Sequence, residues 1–277
     1  MSNSEIGALR KLTAQLDENG KVQYQIPVGE QSLPLNEHIG KRVTIHYASK
    51  ITCSHCGKNT KKSYAQGFCF PCMQKLAQCD MCIMKPETCH YHLGTCREPQ
   101  WGEQHCMVPH YVYLANTSGI KVGITRHTQL PTRWIDQGAT QALPIFKVQS
   151  RIQSGLVEIA LAEFIADKTN WRAMLKGAGD PIDLVAQAQV LKPRIKDKLA
   201  DIALKYGADA VEDLQQSIVD IHFPVTEYLS KISSFNLDKT PTVSGILQGI
   251  KGQYLIFDSG VINIRKFTSY HVSVEFG

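Results

Sequence analysis

Residues 109–139 read PHYVYLANTSGIKVGITRHTQLPTRWIDQGA. Tyr111 to Ala115 is a β-type run in which Tyr and Val alternate, and Ile120 to Thr125 is a second one carrying Gly123. Between them Asn116-Thr117-Ser118-Gly119 supplies turn chemistry. Two such runs around a Gly-containing turn predict a β-hairpin. The segment from Gln129 to Gln137 then predicts a helix bearing Arg133.

Working outward, the N-terminal side is rich in cysteine. Cys53-x-x-Cys56 and Cys69-x-x-Cys72 are separated by twelve residues. Each pair presents two thiolates to one ion, and two pairs complete a tetrahedral site with no open position, which makes the ion structural. Gly57 and Gly67 suit the tight turns such knuckles need. The intervening Lys58 to Tyr64 would form the finger of a zinc ribbon. A second Cys-rich stretch holds Cys79, Cys82, Cys89, Cys96 and Cys106, with His90, His92 and His105 among them. Cys79 and Cys82 are the firm pair. Cys96 and Cys106 would complete a second zinc site, with Cys89 and His92 as the compact alternates. Thiolates suit zinc and iron–sulfur clusters alike, so both stay open there.

The 277 residues carry 43% hydrophobic and 20% charged side chains, enough to bury a sizeable core in two or three domains. No apolar run reaches about 18 residues, which excludes a membrane-spanning helix. Residues 1–20 lack the apolar core of a signal peptide, so the cytoplasm is the expected location. Nine cysteines in that compartment point to metal rather than disulfides. The net charge of +5 is unevenly placed. No acid occurs between Glu37 and Asp80, while Lys41, Arg42, Lys50, Lys58, Lys61, Lys62 and Lys75 do. A local basic face of this kind suits phosphate, and a merely solvated face is the bland alternative.

On the C-terminal side, Ile145 to Val148 reads as a strand and Gly155 to Lys168 as an amphipathic helix with Glu158 and Glu163 as its acids. Pro181 to Tyr206 reads as helical, and 208–220 continues in that style. Acids gather from Asp201 to Glu227, so that face is expected to be scaffold. Strand signals return in residues 221–277, and earlier in Lys21 to Val28 and Lys41 to Tyr47. The chain ends are expected to meet in a small β-barrel.

Tyr113 on one strand, Lys121-x-Gly123 on the next and Arg133 on a helix resemble the GIY-YIG nuclease core. The strings GTCREPQWGEQHC, PHYVYLA, KVGITR, RWIDQGA and DKTNWRAML are similar to an uncharacterised prokaryotic family that joins a Cys-rich zinc ribbon to such a core, over most of the chain. The resemblance implies an α+β fold: a GIY-YIG-like core with a zinc-ribbon insert and the β-barrel from the chain ends. Its divisions would be a β module over 1–50, the zinc-ribbon region over 51–108, the core over 109–180, a helical segment over 181–220 and a β module over 221–277.

It also implies a metal-dependent endonuclease. Tyr113 would position or activate the attacking water. Gly123 would let the backbone pass close to the helix. Arg133 would meet charge on the phosphoryl group, and Glu158 would hold Mg²⁺ or Mn²⁺. Lys121 stands where the second motif has Tyr, and Gln137 where many members have His. Lys121 would contact phosphate or tune a neighbour's pKa. The partner would be DNA or RNA, held partly by Lys58, Lys61, Lys62 and Arg126. The alternatives are a non-catalytic nucleic-acid or ribonucleoprotein adaptor and a zinc-stabilised protein-interaction scaffold. The plain structural roles are a core Tyr113, a solvated Glu158, and an Arg133 paired with Asp136.

Overall fold

The computed structural model describes residues 2, 3 and 5–277. The hairpin forms as its turn chemistry predicts. His110–Asn116 and Ile120–Arg126 pair antiparallel, with Tyr113 opposite Gly123. Gln141–Val148 adds to the other edge of the first strand, and the short strands Val211–Asp213 and Val219–Asp220 pair beyond it. Side chains of the central strand alternate between two cores, as a period of two requires. Val112 and Leu114 face a core closed by the helices Arg151–Ala162, Leu184–Arg194 and Lys196–Tyr206. Tyr113 and Ala115 face a larger core shared with the chain ends.

Both chain ends enter one open, seven-stranded antiparallel sheet. Arg42–Ile51 lies between Thr242–Lys251 and Tyr270–Phe276, and Tyr254–Phe257 and Gly260–Asn263 continue the order. The two-residue strands Ser2–Asn3 and Gly7–Ala8 pair with Tyr270–Phe276. The expectation that the ends meet is met, but the expected barrel is not. The outer strands of this sheet do not pair with each other among the described residues. Instead, residues 233–235 cover the outer edge through Phe235 N to Val261 O and Val261 N to Ser233 O, both 2.8 Å. The other N-terminal strand lies elsewhere. Val22–Val28 is the middle of a three-stranded meander with Thr13–Leu16 and Gln31–Pro34. Its Val22, Tyr24, Ile26 and Val28 are buried, while Gln23 and Gln25 face out.

Two helical expectations change. The long helix runs over Arg151–Ala162, starting and ending earlier than its apolar pattern predicts. It ends because the chain turns to lie along the hairpin, where Val122 N donates to Ala166 O at 2.8 Å. Residues 208–220 are not a continuing helix. Gly207, at φ +102°, stops the preceding helix, and Val211 and Val219 find a free strand edge at 141–148. Tertiary pairing of this kind overrides a weak local preference.

Candidate active site and metal centre

The hairpin, the short helix Thr132–Asp136 and the long helix meet at an open cleft of about 690 Å³. Lys121, Arg133 and Glu158 all line it. Tyr113 lies behind that wall and is fully buried. Burial raises the pKa of its hydroxyl, and the Arg133 guanidinium pulls the other way. Its ring covers Gly123. A Cβ there would lie 2.6 Å from the Tyr113 hydroxyl and 2.7 Å from Cζ. The glycine is therefore required by its cross-strand tyrosine, and the ring's edge rests on Trp134 with centroids 6.1 Å apart.

The charges of the cleft perturb each other. Lys121 is only 5% exposed, and burial, then Arg133, draw its pKa down to about 8. Glu158 is half-buried, and burial pushes its pKa up to about 7 against the pull of Lys121 and Arg133. Neither Glu158 nor Arg133 forms a salt bridge among the described residues. Asp136 does not take Arg133, because its two oxygens accept from Lys11 Nζ and Gln253 Nε2, both at 2.8 Å. Shifted, unpaired ionisable groups in a concavity mark functional sites more often than structural ones. Gln137 and Arg133 reach the Tyr113 hydroxyl from this wall and lower its pKa, and two buried polar atoms there, Gln137 Oε1 and Thr169 Oγ1, lack a hydrogen-bond partner. Orphans are rare in native interiors, so their clustering points the same way.

The four cysteines of the paired knuckles converge. All the sulfurs of Cys53, Cys56, Cys69 and Cys72 lie within 4.8 Å of one another. Those of Cys56 and Cys69 are 3.8 Å apart, the edge of a tetrahedron whose zinc–sulfur bonds are about 2.3 Å. Gly57 N donates to Cys53 O at 2.9 Å across the first knuckle. Cys69 sits at the start of the helix Phe70–Lys75, which carries Cys72 in its first turn. Burial raises the Cys53 thiol, but backbone N–H groups of Cys56, Cys69 and His55 outweigh it and bring the pKa to about 6. The donor set fits a zinc ion. The knuckles are tied to each other and to the large sheet. Ser54 N donates to Gly67 O at 2.8 Å, and Ser269 Oγ donates to the same oxygen at 2.9 Å.

Comparison with known proteins adds a family. A family model described as a protein of unknown function (DUF2797) matches residues 40–272. The chain belongs to the DUF2797 family. No curated protein and no solved structure matches it.

The DUF2797 match spans the knuckles, the hairpin, the cleft and most of the large sheet, and begins after the N-terminal meander. Within it, several cleft residues were not singled out by sequence. Asp167, Arg151 and Arg265 line the cleft together with Lys11 from outside the match. Asp167 falls in the string DKTNWRAML, and its position beside Lys121 follows from the strand-like run of 166 along the hairpin. Arg126 lines the cleft as well. Lys58, Lys61 and Lys62 are exposed between the two Cys-x-x-Cys pairs and do not line it. In the second Cys-rich stretch, Cys82, Cys89, Cys96 and Cys106 surround one small cavity. Cys79 and His92 do not. Among the described residues of this DUF2797 chain, no helix is long and apolar enough to cross a membrane.

Proposed function

We propose that the cleft binds the phosphodiester backbone of DNA or RNA and cleaves it with Mg²⁺ or Mn²⁺, on a GIY-YIG-like core over residues 109–180 flanked by a zinc ribbon. One observation carries the reading: Lys121, Arg133 and Glu158 share an open cleft over the buried Tyr113. Seven cationic side chains line that cleft against three carboxylates, a balance that attracts a polyanion.

Roles follow from position. Arg133, free of a carboxylate partner, meets charge developing on the phosphoryl group. Lys121 contacts phosphate while protonated, and once neutral accepts a proton from water, since a pKa near the working pH suits a general base. Tyr113 is too deeply buried to touch substrate and fixes the wall that carries Arg133. Glu158, with Asp167 nearby, offers the oxygen donors that magnesium prefers. A divalent cation held there would supply Lewis-acid stabilisation of the leaving oxygen.

A non-catalytic adaptor is the second reading. It is favoured by the same burial of Tyr113 and by Lys121 in place of a tyrosine. The test is a cleavage assay on single-stranded and duplex DNA and RNA with Mg²⁺ or Mn²⁺, comparing wild type with Glu158→Ala and Arg133→Ala. Wild type should cut, and each variant should lose on the order of a hundredfold or more in rate. Equal cutting by wild type and Glu158→Ala would place the activity elsewhere. Binding by wild type without cutting selects the adaptor.

A further inference from the structure

Residues 52–111 contribute no side chain to any of the three apolar cores of the described chain. Between Ala77 and Cys106 the backbone is a series of single 3₁₀ turns at 77–79, 81–83, 86–88 and 91–93, followed by the helix Pro99–His105. Met81, Met84 and Leu93 are exposed there, at 63%, 80% and 66%. A segment that buries so little apolar surface needs a staple to hold one conformation. The paired knuckles at 53–72 supply one for its first half only.

We propose that Cys82, Cys89, Cys96 and Cys106 form a second four-thiolate zinc site. All four line one small cavity of about 10 Å³, together with Asp80 and His90, room for a single water-sized sphere. Cys89 and Cys106 are buried, and Cys82 and Cys96 are partly so. Gly102 keeps the approach open. A Cβ there would lie 3.3 Å from Cys96 Sγ and 2.9 Å from Tyr91 Cδ2. Their sulfurs are not gathered within 4.8 Å of one another as those of the paired knuckles are; an ion bound in this space would draw four soft donors that already line it into a closed structural site. Cys79 lies outside the cavity.

A competing donor set lines the same cavity. Oxygen, sulfur and nitrogen donors of Asp80, Cys82 and His90 are within 4.8 Å of one another. Asp80 is already held by Arg97 Nε at 2.6 Å, and His90 Nδ1 pairs with Thr95 Oγ1 at 2.8 Å. These groups serve as the outer support of the loop, the place where metal sites keep their carboxylates and hydrogen-bonded histidines. Arg151 joins the site to the cleft. Its Nη2 donates to Ile83 O at 2.6 Å, and Ile83 and Met84 form part of the cleft wall. The second ion thus fixes one side of the cleft, whatever the cleft does chemically.

The experiment is metal analysis of the purified full-length chain, with Co²⁺ substitution as a spectroscopic readout. Wild type should hold two zinc ions per chain. Cys89→Ser should hold one, and its cobalt form should show about half the sulfur-to-cobalt charge-transfer absorption. Cys79→Ser and His90→Ala should both keep two. One zinc in wild type overturns the proposal, and that measurement stands even where Cys89→Ser fails to fold. Loss of an ion in Cys79→Ser or His90→Ala overturns the four-thiolate set. Iron in place of the second zinc overturns the zinc assignment.

Discussion

Replacing Gly123 by Ala tests whether the tyrosine wall holds the cleft. The added Cβ would start 2.6, 2.7 and 3.0 Å from the Tyr113 hydroxyl, Cζ and Cε2. Ordinary contact begins near 3.4 Å, so the ring must retreat by about 0.8 Å in a close-packed interior. It has nowhere cheap to go, because Tyr113 is fully buried and edges onto Trp134. Overpacking of this kind costs about 1–3 kcal/mol. The loss of backbone freedom in the unfolded chain returns at most about 1 kcal/mol. For a chain of this size the net loss corresponds to a Tm drop of up to about 10 °C. Calorimetry on Gly123→Ala measures it, with Gly177→Ala as the control, since the nearest atom to a Cβ at Gly177 is 3.9 Å away. Tyr113→Phe in the same chain removes the closest contact, so the two changes should be non-additive by at least about 0.5 kcal/mol. Arg133 adjoins Trp134, so affinity for a short DNA or RNA probe should fall as well. A Gly123→Ala chain that melts and binds like wild type would refute the packing argument.

Three further outcomes are expected. Lys251 is buried with Nζ donating to Gly177 O at 2.8 Å, and burial draws its pKa down to about 8 from 10.5. The unfolded chain therefore binds this proton more tightly, the penalty is full below pH 8, and it lessens as pH rises towards 10.5. Wild type should therefore gain stability relative to Lys251→Met as pH rises from 7 to 10 in urea titrations, and a difference between the two chains that stays constant with pH would count against the buried lysine. Burial draws the Lys121 pKa down to about 8, so affinity for a nucleic-acid probe should fall as pH rises from 7 to 9, and Lys121→Arg should lessen that slope, the ionisation of Glu158 with its pKa near 7 supplying the rest. Charge reversal at Lys58, Lys61 and Lys62 should weaken binding across sequences and flatten its salt dependence, because phosphate contacts release counterions; unchanged affinity removes the finger from the binding surface.

The hairpin and the first metal centre were legible in the chain because their information is local. A turn of Asn, Ser and Gly closes two strands only three residues apart, and each Cys-x-x-Cys pair is brought together by its own knuckle. Lys121, Gly123 and Arg133 could be named for the same reason, since they lie within one short stretch. The tertiary structure alone decided what comes from afar. It brought Asp167, Arg151, Arg265 and Lys11 to the cleft from four separate segments, and it left the sheet of the chain ends open rather than closed. It also turned residues 211–213 into a strand, because a free edge at 141–148 satisfies their backbone groups. Cys89 rather than Cys79 reaches the second thiol cavity for a related reason. Its neighbours are irregular turns, whose side-chain directions no sequence period sets, and they are fixed by packing on the long helix. There Gly155 admits the backbone of Pro86 and Glu87 to within 2.4 Å of where a Cβ would stand.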